Sequence, residues 1–210
     1  MARQVLDSMT QSQLIMSSLQ ARGFLRSARS LYDNAREGKF GEVSTNEHFI
    51  MQGVDGTNYS WADMNAIHVN IGLSLELILK RIEYYDQGQF EYGHKLVEIY
   101  DSLGDEISER IDSVYSKVLE EFGGFNIVGM MIKDTLLDIP DKPEDIPLNN
   151  FRDILEYVDK EDILYSRRYE CFSLEKDKWY FFLDKLEPIF ACLERLLWLH
   201  KKDVFNESDN

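Results

Sequence analysis

The most strongly apolar stretch of the chain lies between residues 60 and 88, and it predicts a central helix over residues 61–86. Apolar residues recur there along one stripe at helical spacing: Met64, Ile67, Ile71, Leu75, Leu79 and Ile82. Further apolar residues lie on the other sides, which is typical of a helix covered by neighbours on several faces. Ser60 with Asp63 resembles an N-terminal cap, and Gly88 is suited to end the helix.

The same periodicity predicts helices on both sides of the central one. A first helix is expected from a Thr10 cap to Gly38, because apolar residues again form a stripe. Its members are Leu14, Ala21, Leu25, Ala28, Tyr32 and Ala35. A short helix is expected over residues 94–103, and a clean amphipathic helix follows it and ends at Gly123.

The C-terminal third predicts two more helical segments. Asn150 is placed to cap a short helix that carries Phe151 and Ile154. A long segment over residues 173–201 has a further apolar stripe, and Pro188 inside it is expected to kink or split the helix.

The remaining segments predict irregular structure. Residues 39–59 read as a long connection, and residues 124–150 hold three of the four prolines, which favours an irregular excursion over a domain boundary. The polar tail at 203–210 is expected to fray. No stretch alternates apolar and polar residues, so no sheet is expected. The predicted fold class is an all-α bundle of about five to seven helices in one domain, residues 1–210.

Charge and composition narrow the possible functions. The formal net charge is −15, which disfavours broad, non-specific binding to nucleic acid or to an anionic membrane. Polar residues interrupt the central apolar stretch too often for a membrane span. The N-terminal residues lack the apolar segment of a signal peptide, and we expect a cytoplasmic protein. No cysteine or histidine stands at metal-ligand spacing, so neither a metal site nor another cofactor is predicted.

The charge is distributed unevenly along the chain. Residues 1–58 are neutral, with six Lys or Arg and six Asp or Glu, and the remainder carries the whole excess of acid. Arg22, Arg26, Arg29 and Arg36 form a ridge on one face of the first predicted helix. One interpretation is a ridge that contacts phosphate or RNA. The other is a solvated face that pairs with the acidic remainder of the chain.

A resemblance to a known family rests on three short motifs. Residues 73–80 read LSLELILK, the turn Gly93-His94-Lys95-Leu96 follows a short loop, and Arg168-Tyr169 comes later. These are similar to the ALE-x-x-LK helix, the GHDL-like turn and the RY element of the HEPN superfamily, best over residues 60–122. The resemblance implies an all-α bundle that usually dimerises. In many members it implies a metal-independent endoribonuclease, or an RNA-binding or nucleotide-binding relative of one. Such proteins often belong to toxin–antitoxin or antiviral defence systems, and some act beside a nucleotidyltransferase or an antitoxin-like partner.

Active members of that superfamily use an arginine followed, four to six residues later, by a histidine. Arg195 and His200 match this spacing, although Leu196 stands where the family has a polar residue. A metal-free ribonuclease needs a group that deprotonates the ribose 2′-hydroxyl and a cation that stabilises charge on the phosphate. On a straight helix, however, side chains five residues apart diverge by about 140°. The alternative interpretation is therefore structural, with His200 covering the end of the apolar stripe on the last predicted helix.

Other residues have both a functional and a structural interpretation. Arg167 and Arg168 are candidate phosphate contacts, beside Arg22, Arg26 and Arg29. Glu76 and Lys80 form either an ordinary helix salt bridge or, if buried, a polar anchor between helices.

The sequence favours a structural interpretation of His94 and His68. Gly93 and His94 form a turn in which the ring could cap backbone groups, and His68 is expected to be a satisfied core histidine.

Two functions remain: a HEPN-like dimer that binds or cleaves RNA or binds a nucleotide, and a catalytically inactive helical module that binds another protein.

Overall fold

The structure is a computed structural model, and it describes most of the helical part of the chain. Its backbone is described for residues 11–36, 50–52, 58–89, 93–123, 126–133, 136–138, 145–160, 178–181 and 186–206. Its side chains are described for residues 13–36, 63–89, 93–123, 148–160 and 186–198.

The described residues form a helical bundle, as the hydrophobic pattern predicts. Its six helices are α1 (Gln11–Arg36), α2 (Trp61–Gln87), α3 (Leu96–Ser102), α4 (Asp105–Phe122), α5 (Phe151–Lys160) and α6 (Glu187–Asn206). The central position of α2 is confirmed, because it packs against α1, α3 and α6. All six residues of its predicted stripe are buried, and so are all six of the stripe predicted on α1.

Local signals end the helices where the sequence suggests. Gly88 (φ +71°) and Gly123 (φ +79°) adopt the left-handed conformation that favours glycine, directly after α2 and α4. The Asn150 side chain accepts a hydrogen bond from the Asp153 N–H at 2.9 Å, which confirms it as the cap of α5.

The expectation of no sheet is wrong. The strands are β1 (Ile50–Gln52), β2 (Asn58–Ser60), β3 (Asn126–Lys133), β4 (Leu136–Asp138), β5 (Asp145–Pro147) and β6 (Lys178–Phe181). β1 and β2 form an antiparallel hairpin within the segment that we predicted as a long connection. The interval at 124–150, predicted as an irregular excursion, contains β3, β4 and β5.

β3 is the centre of the larger sheet. It pairs antiparallel with β4, β5 and β6, with Met131 opposite Asp138, Val128 opposite Asp145 and Gly129 opposite Tyr180. The run IVGMMI within β3 is continuously apolar, and such a run does not distinguish a strand from a buried helix by periodicity. Its pairing with β6, far along the chain, supplies what the local pattern lacks.

The last helix is shorter than predicted and is not kinked by its proline. β6 occupies part of the predicted segment at 173–201, and α6 begins only at Glu187. Pro188 therefore lies in the first turn, where a missing N–H costs no helical hydrogen bond. Helix α6 continues to Asn206, so residues 203–206 are helical rather than frayed, and residues 207–210 lie outside the described part.

Candidate functional site

Helices α1 and α6 run antiparallel and bring matched charges together. Arg29 Nη1 lies 3.1 Å from Glu194 Oε1, and Arg36 pairs with Glu187. The two arginines are seven residues apart, as are the two glutamates, so both pairs repeat after two helical turns. For Arg29 and Arg36 the structure therefore supports the interpretation in which the ridge pairs with the acidic remainder of the chain.

A buried tyrosine supports the Glu187 end of this interface. The Tyr32 hydroxyl donates a hydrogen bond to Glu187 Oε2 at 2.8 Å and accepts one from the Leu186 N–H at 3.4 Å. Burial raises the pKa of Tyr32 well above its ordinary value, and the hydrogen bond to the negative Glu187 raises it further. Tyr32 thus stays a neutral phenol that joins α1 to the start of α6.

The other two arginines of the ridge, Arg22 and Arg26, line a groove of about 200 Å³ between α1 and α6. Its lining residues are Arg22, Leu25, Arg26, Arg29, Glu194, Leu197 and Trp198. The Arg22 guanidinium carbon lies 5.2 Å from the centre of the Trp198 ring, as in a cation–π contact. Arg22 Nη2 is buried and has no hydrogen-bond partner among the described residues.

Arg26 is exposed and forms neither a hydrogen bond nor an ion pair with any other described residue. The lining of the groove therefore contains three guanidinium groups and one carboxylate, and that carboxylate is bound to Arg29. In a chain with a net charge of −15, this is a local excess of positive charge. Such a groove attracts an anion, and guanidinium groups bind phosphate with two parallel hydrogen bonds.

The two residues of the predicted catalytic pair lie on one helix. Arg195 and His200 both belong to α6, and positions five residues apart on a helix are separated by about 140° around its axis. Arg195 Nη2 lies 2.6 Å from Glu121 Oε2 on α4. This hydrogen bond raises the pKa of Arg195 and holds the pKa of the exposed Glu121 carboxyl below its ordinary value. The side chain of His200 lies outside the described residues.

The motif residues on α2 and in the following turn form a polar anchor. Glu76 is buried, and its Oε1 accepts hydrogen bonds from Lys80 Nζ at 2.7 Å and from His94 Nδ1 at 2.6 Å. Of the two interpretations of Glu76 and Lys80, the structure thus favours the anchor between elements. Gly93 leaves open space around its missing side chain, and the ring of the next residue, His94, binds this carboxylate.

Asp159 of α5 caps the N-terminus of α3. Its two carboxylate oxygens accept hydrogen bonds from the N–H groups of Leu96 and Val97, both at 2.9 Å. Asp159 was not a sequence candidate, because its partners are 63 and 62 positions away.

The remaining candidates are either structural or outside the described residues. His68 is buried and donates from Nδ1 to the Met64 carbonyl oxygen at 2.7 Å, which confirms it as a satisfied core histidine. Arg167 and Arg168 fall in residues 161–177, which lie outside the described part. Within the described ranges, His, Cys, Asp and Glu side chains form no group of three or more suited to a metal ion. Nor does any described helix have the length and apolar character that crossing a membrane requires.

Sequence reasoning missed the acidic face of α6 and the position of Trp198. A signal was present, since Glu187 and Glu194 repeat with the same spacing of seven as Arg29 and Arg36. Equal spacing on two antiparallel helices allows both arginines to pair with both glutamates. Compared with known proteins, the chain matches no family model, no curated protein and no solved structure.

Proposed function

We propose that this protein is a HEPN-like helical protein that binds the phosphate groups of RNA or of a nucleotide in the groove between α1 and α6. The observation that carries the proposal is the pairing pattern of the four arginines. Arg29 and Arg36 are bound to glutamates of α6, whereas Arg22 Nη2 and Arg26 have no polar partner among the described residues. A buried guanidinium nitrogen without a partner is costly, and the exposed Arg26 lines the groove, so an anion that enters the groove can reach the Arg26 guanidinium.

The net charge of the whole molecule affects how many phosphates can bind and how strongly the affinity depends on salt. The field of a protein with a net charge of −15 repels a polyanion everywhere except near a local basic site. Binding through two or three arginines therefore involves few phosphates, and the affinity falls only gently with salt. This argues for a short contact with one or two nucleotides instead of a long track along a strand.

Binding is tested by fluorescence anisotropy of a labelled RNA pool over a series of salt concentrations. Reversing Arg26 to glutamate removes an exposed, unpaired cation, and we expect weaker binding and a salt slope that decreases by about one phosphate contact. The control is Lys117→Glu, which changes the net charge equally on the exposed face of α4. Equal binding by wild type and Arg26→Glu would remove the groove from the proposal.

RNA cleavage without a metal ion is a second step of the same proposal, and Arg195 and His200 are its candidates. Since positions five residues apart on a helix are separated by about 140° around its axis, the two side chains would have to meet across a homodimer, with His200 moving a proton and Arg195 stabilising charge on the phosphate. Arg195 would first have to leave Glu121. The test is a purified protein incubated with a mixed RNA pool in EDTA, beside His200→Ala. Cleavage by wild type alone supports a ribonuclease, and cleavage by neither protein limits the proposal to binding.

A protein-interaction module is the alternative function, and one observation favours it. Three large apolar side chains on the first half of α1, Ile15, Met16 and Leu19, are more than half exposed. They lie within two turns of Arg22, so an apolar surface adjoins the basic groove. A protein partner of an antitoxin-like or nucleotidyltransferase type would bury that surface, whereas an RNA ligand would not.

A further inference from the structure

Glu194 is an acidic side chain in the lining of an otherwise basic groove. Its Oε1 accepts a hydrogen bond from Arg29 Nη1 at 3.1 Å, and this bond fixes the direction of the carboxylate. Its Oε2 has no hydrogen-bond partner among the described residues, and the side chain is about half exposed. Because an ionised carboxylate accepts hydrogen bonds and donates none, Oε2 is an acceptor that a ligand in the groove can reach.

A cation lies close to this acceptor. Arg26 lines the same groove, is exposed and forms no ion pair with another described residue. It precedes Arg29, the partner of Glu194, by three residues, which is about 4.5 Å along the axis of α1. Two buried side chains, Leu25 and Leu197, form an apolar part of the lining. A ligand in the groove therefore meets a cation and, within about one helical turn, a hydrogen-bond acceptor.

The size and chemistry of the groove limit what binds there. Its volume of about 200 Å³ is below the range of roughly 300–1,000 Å³ that is usual for small-molecule pockets, so it holds part of a nucleotide. A bare anion is repelled by Glu194, whereas a ligand with a donor beside its phosphate forms a hydrogen bond with it. A ribose 3′-phosphate has such a donor, because the neighbouring carbon carries the 2′-hydroxyl. Deoxyribose has no hydroxyl at that carbon.

We infer that the groove recognises the ribose of RNA, with a phosphate bound to Arg26 and the 2′-hydroxyl donating a hydrogen bond to Glu194 Oε2. This inference rests on the proposed phosphate binding and adds selection of RNA over DNA. Arg29 compensates the charge of Glu194 through Oε1 and leaves Oε2 to the ligand. Glu194 therefore lowers the affinity for phosphate alone and restores it for a phosphate that is attached to ribose.

The test uses three labelled oligonucleotides of equal length and the same base: oligouridylate, its 2′-deoxy analogue and its 2′-O-methyl analogue. They have the same phosphates and differ at the 2′ position. Wild type binds oligouridylate roughly tenfold more tightly than either analogue, since a hydrogen bond to a charged group contributes about that much. The methyl ether keeps a ribose-like sugar shape, so it separates the loss of the donor from a change in the sugar.

Glu194→Ala removes the acceptor and releases Arg29. We expect this variant to bind the three oligonucleotides with similar affinity, and to bind both analogues more tightly than wild type does, because the groove becomes more positive. The control, Glu156→Ala, removes an exposed carboxylate that pairs with an arginine on α5, and it should keep the preference for oligouridylate. An exposed ion pair such as that of Glu194 contributes little to stability. Thermal melting of Glu194→Ala should therefore match wild type, and this is checked first.

The possible results separate this inference from the proposed function. If wild type binds the three oligonucleotides equally and Arg26→Glu weakens all three, phosphate binding stands and the inference fails. If wild type binds none of them, both fail. A preference for oligouridylate that persists in Glu194→Ala also overturns the inference, because another group then recognises the hydroxyl and Glu194 merely competes with phosphate for Arg29.

Discussion

Several buried hydroxyl and carboxylate groups of the bundle bind an atom of another element. The Ser74 hydroxyl donates to the Ala21 carbonyl oxygen at 3.1 Å, and the Tyr115 hydroxyl donates to the Leu148 carbonyl oxygen at 2.7 Å. A buried polar group without a partner costs about 1–3 kcal/mol, so each of these bonds fixes one relative position of two elements. At the residue scale, Arg22 Nη2 and Arg26 differ from these groups because they have no polar partner among the described residues.

Removing the carboxylate of Glu76 should destabilise the fold. Glu76→Ala leaves Lys80 half-buried without its carboxylate and removes the partner of His94, so we expect a loss of about 3 kcal/mol in the free energy of unfolding. Urea denaturation measures it. Glu120→Ala, on the exposed face of α4, is the control and should change stability little. A loss as small as that of the control would mean that Glu76 is not an anchor.

The buried Cys192 thiol predicts a loss of stability in alkali. Burial raises the pKa of Cys192 from its ordinary 9.0 to about 12. Because the folded protein holds this proton more tightly than the unfolded chain, the stability is complete below pH 9 and is lost as the pH rises towards 12. Tyr115, whose pKa burial also raises, acts in the same direction.

Urea unfolding over a range of pH tests this prediction in a Cys171→Ser background, so that Cys192 is the only thiol. We expect a decrease in the free energy of unfolding by about 1.4 kcal/mol per pH unit from this group. The native thiol should react with DTNB only as fast as the protein unfolds. Fast reaction at neutral pH would contradict the burial of Cys192. In Cys192→Ala the alkaline slope should become shallower.

At the scale of elements, helix ends are completed by groups from elsewhere in the chain. Helix α3 has only seven residues, and its own N-cap residue, Lys95, makes no capping hydrogen bond with its side chain. Asp159 of α5 supplies the cap instead, so α3 and α5 depend on each other. A helix this short has little stability of its own and relies on such contacts.

Replacing Asp159 should therefore loosen α3. We expect Asp159→Ala to cost about 1–2 kcal/mol, as the loss of a helix cap does, and to speed hydrogen exchange of the α3 amides. Asp159→Asn retains an acceptor oxygen and should lose less. Glu156→Ala is the control on the same helix, because its exposed pair with Arg152 contributes little. If the α3 amides of Asp159→Ala exchange at the wild-type rate, the Asp159 cap does not stabilise α3.

At the scale of the whole molecule, the described part of an acidic chain carries a basic groove with an exposed apolar strip beside it. The strip, defined as Ile15, Met16 and Leu19, lies on the first half of α1. Contiguous apolar surface of this kind is more typical of an interface than of a solvated helix face.

We expect a homodimer that buries this strip. Light scattering should give twice the chain mass of 24.6 kDa at micromolar concentrations. Leu19→Glu should shift the protein to a monomer, because an interface cannot bury an unpaired carboxylate. Wild type that is monomeric throughout would contradict the prediction. The matched control, Gln20→Glu, adds the same charge at the neighbouring exposed position.

The sequence alone determined the helices and their buried faces. The stripes on α1 and α2, the stops at Gly88 and Gly123 and the cap at Asn150 were all predictable, since each signal lies within a few residues of the feature that it specifies. The arginine ridge was visible too, because residues three, four and seven apart share one face of a helix.

Only the tertiary structure decided which residues of other elements contact those helix faces. Arg29 and Glu194 are 165 positions apart, and no local pattern distinguishes Arg29 and Arg36, which pair with glutamates, from Arg22 and Arg26, which form no ion pair among the described residues. The sheet around β3 and the placement of Trp198 beside Arg22 were undecided for the same reason. Local periodicity determines which side of an element is apolar. Which distant elements pair depends on how they pack in the folded protein, and the local sequence pattern does not specify that packing.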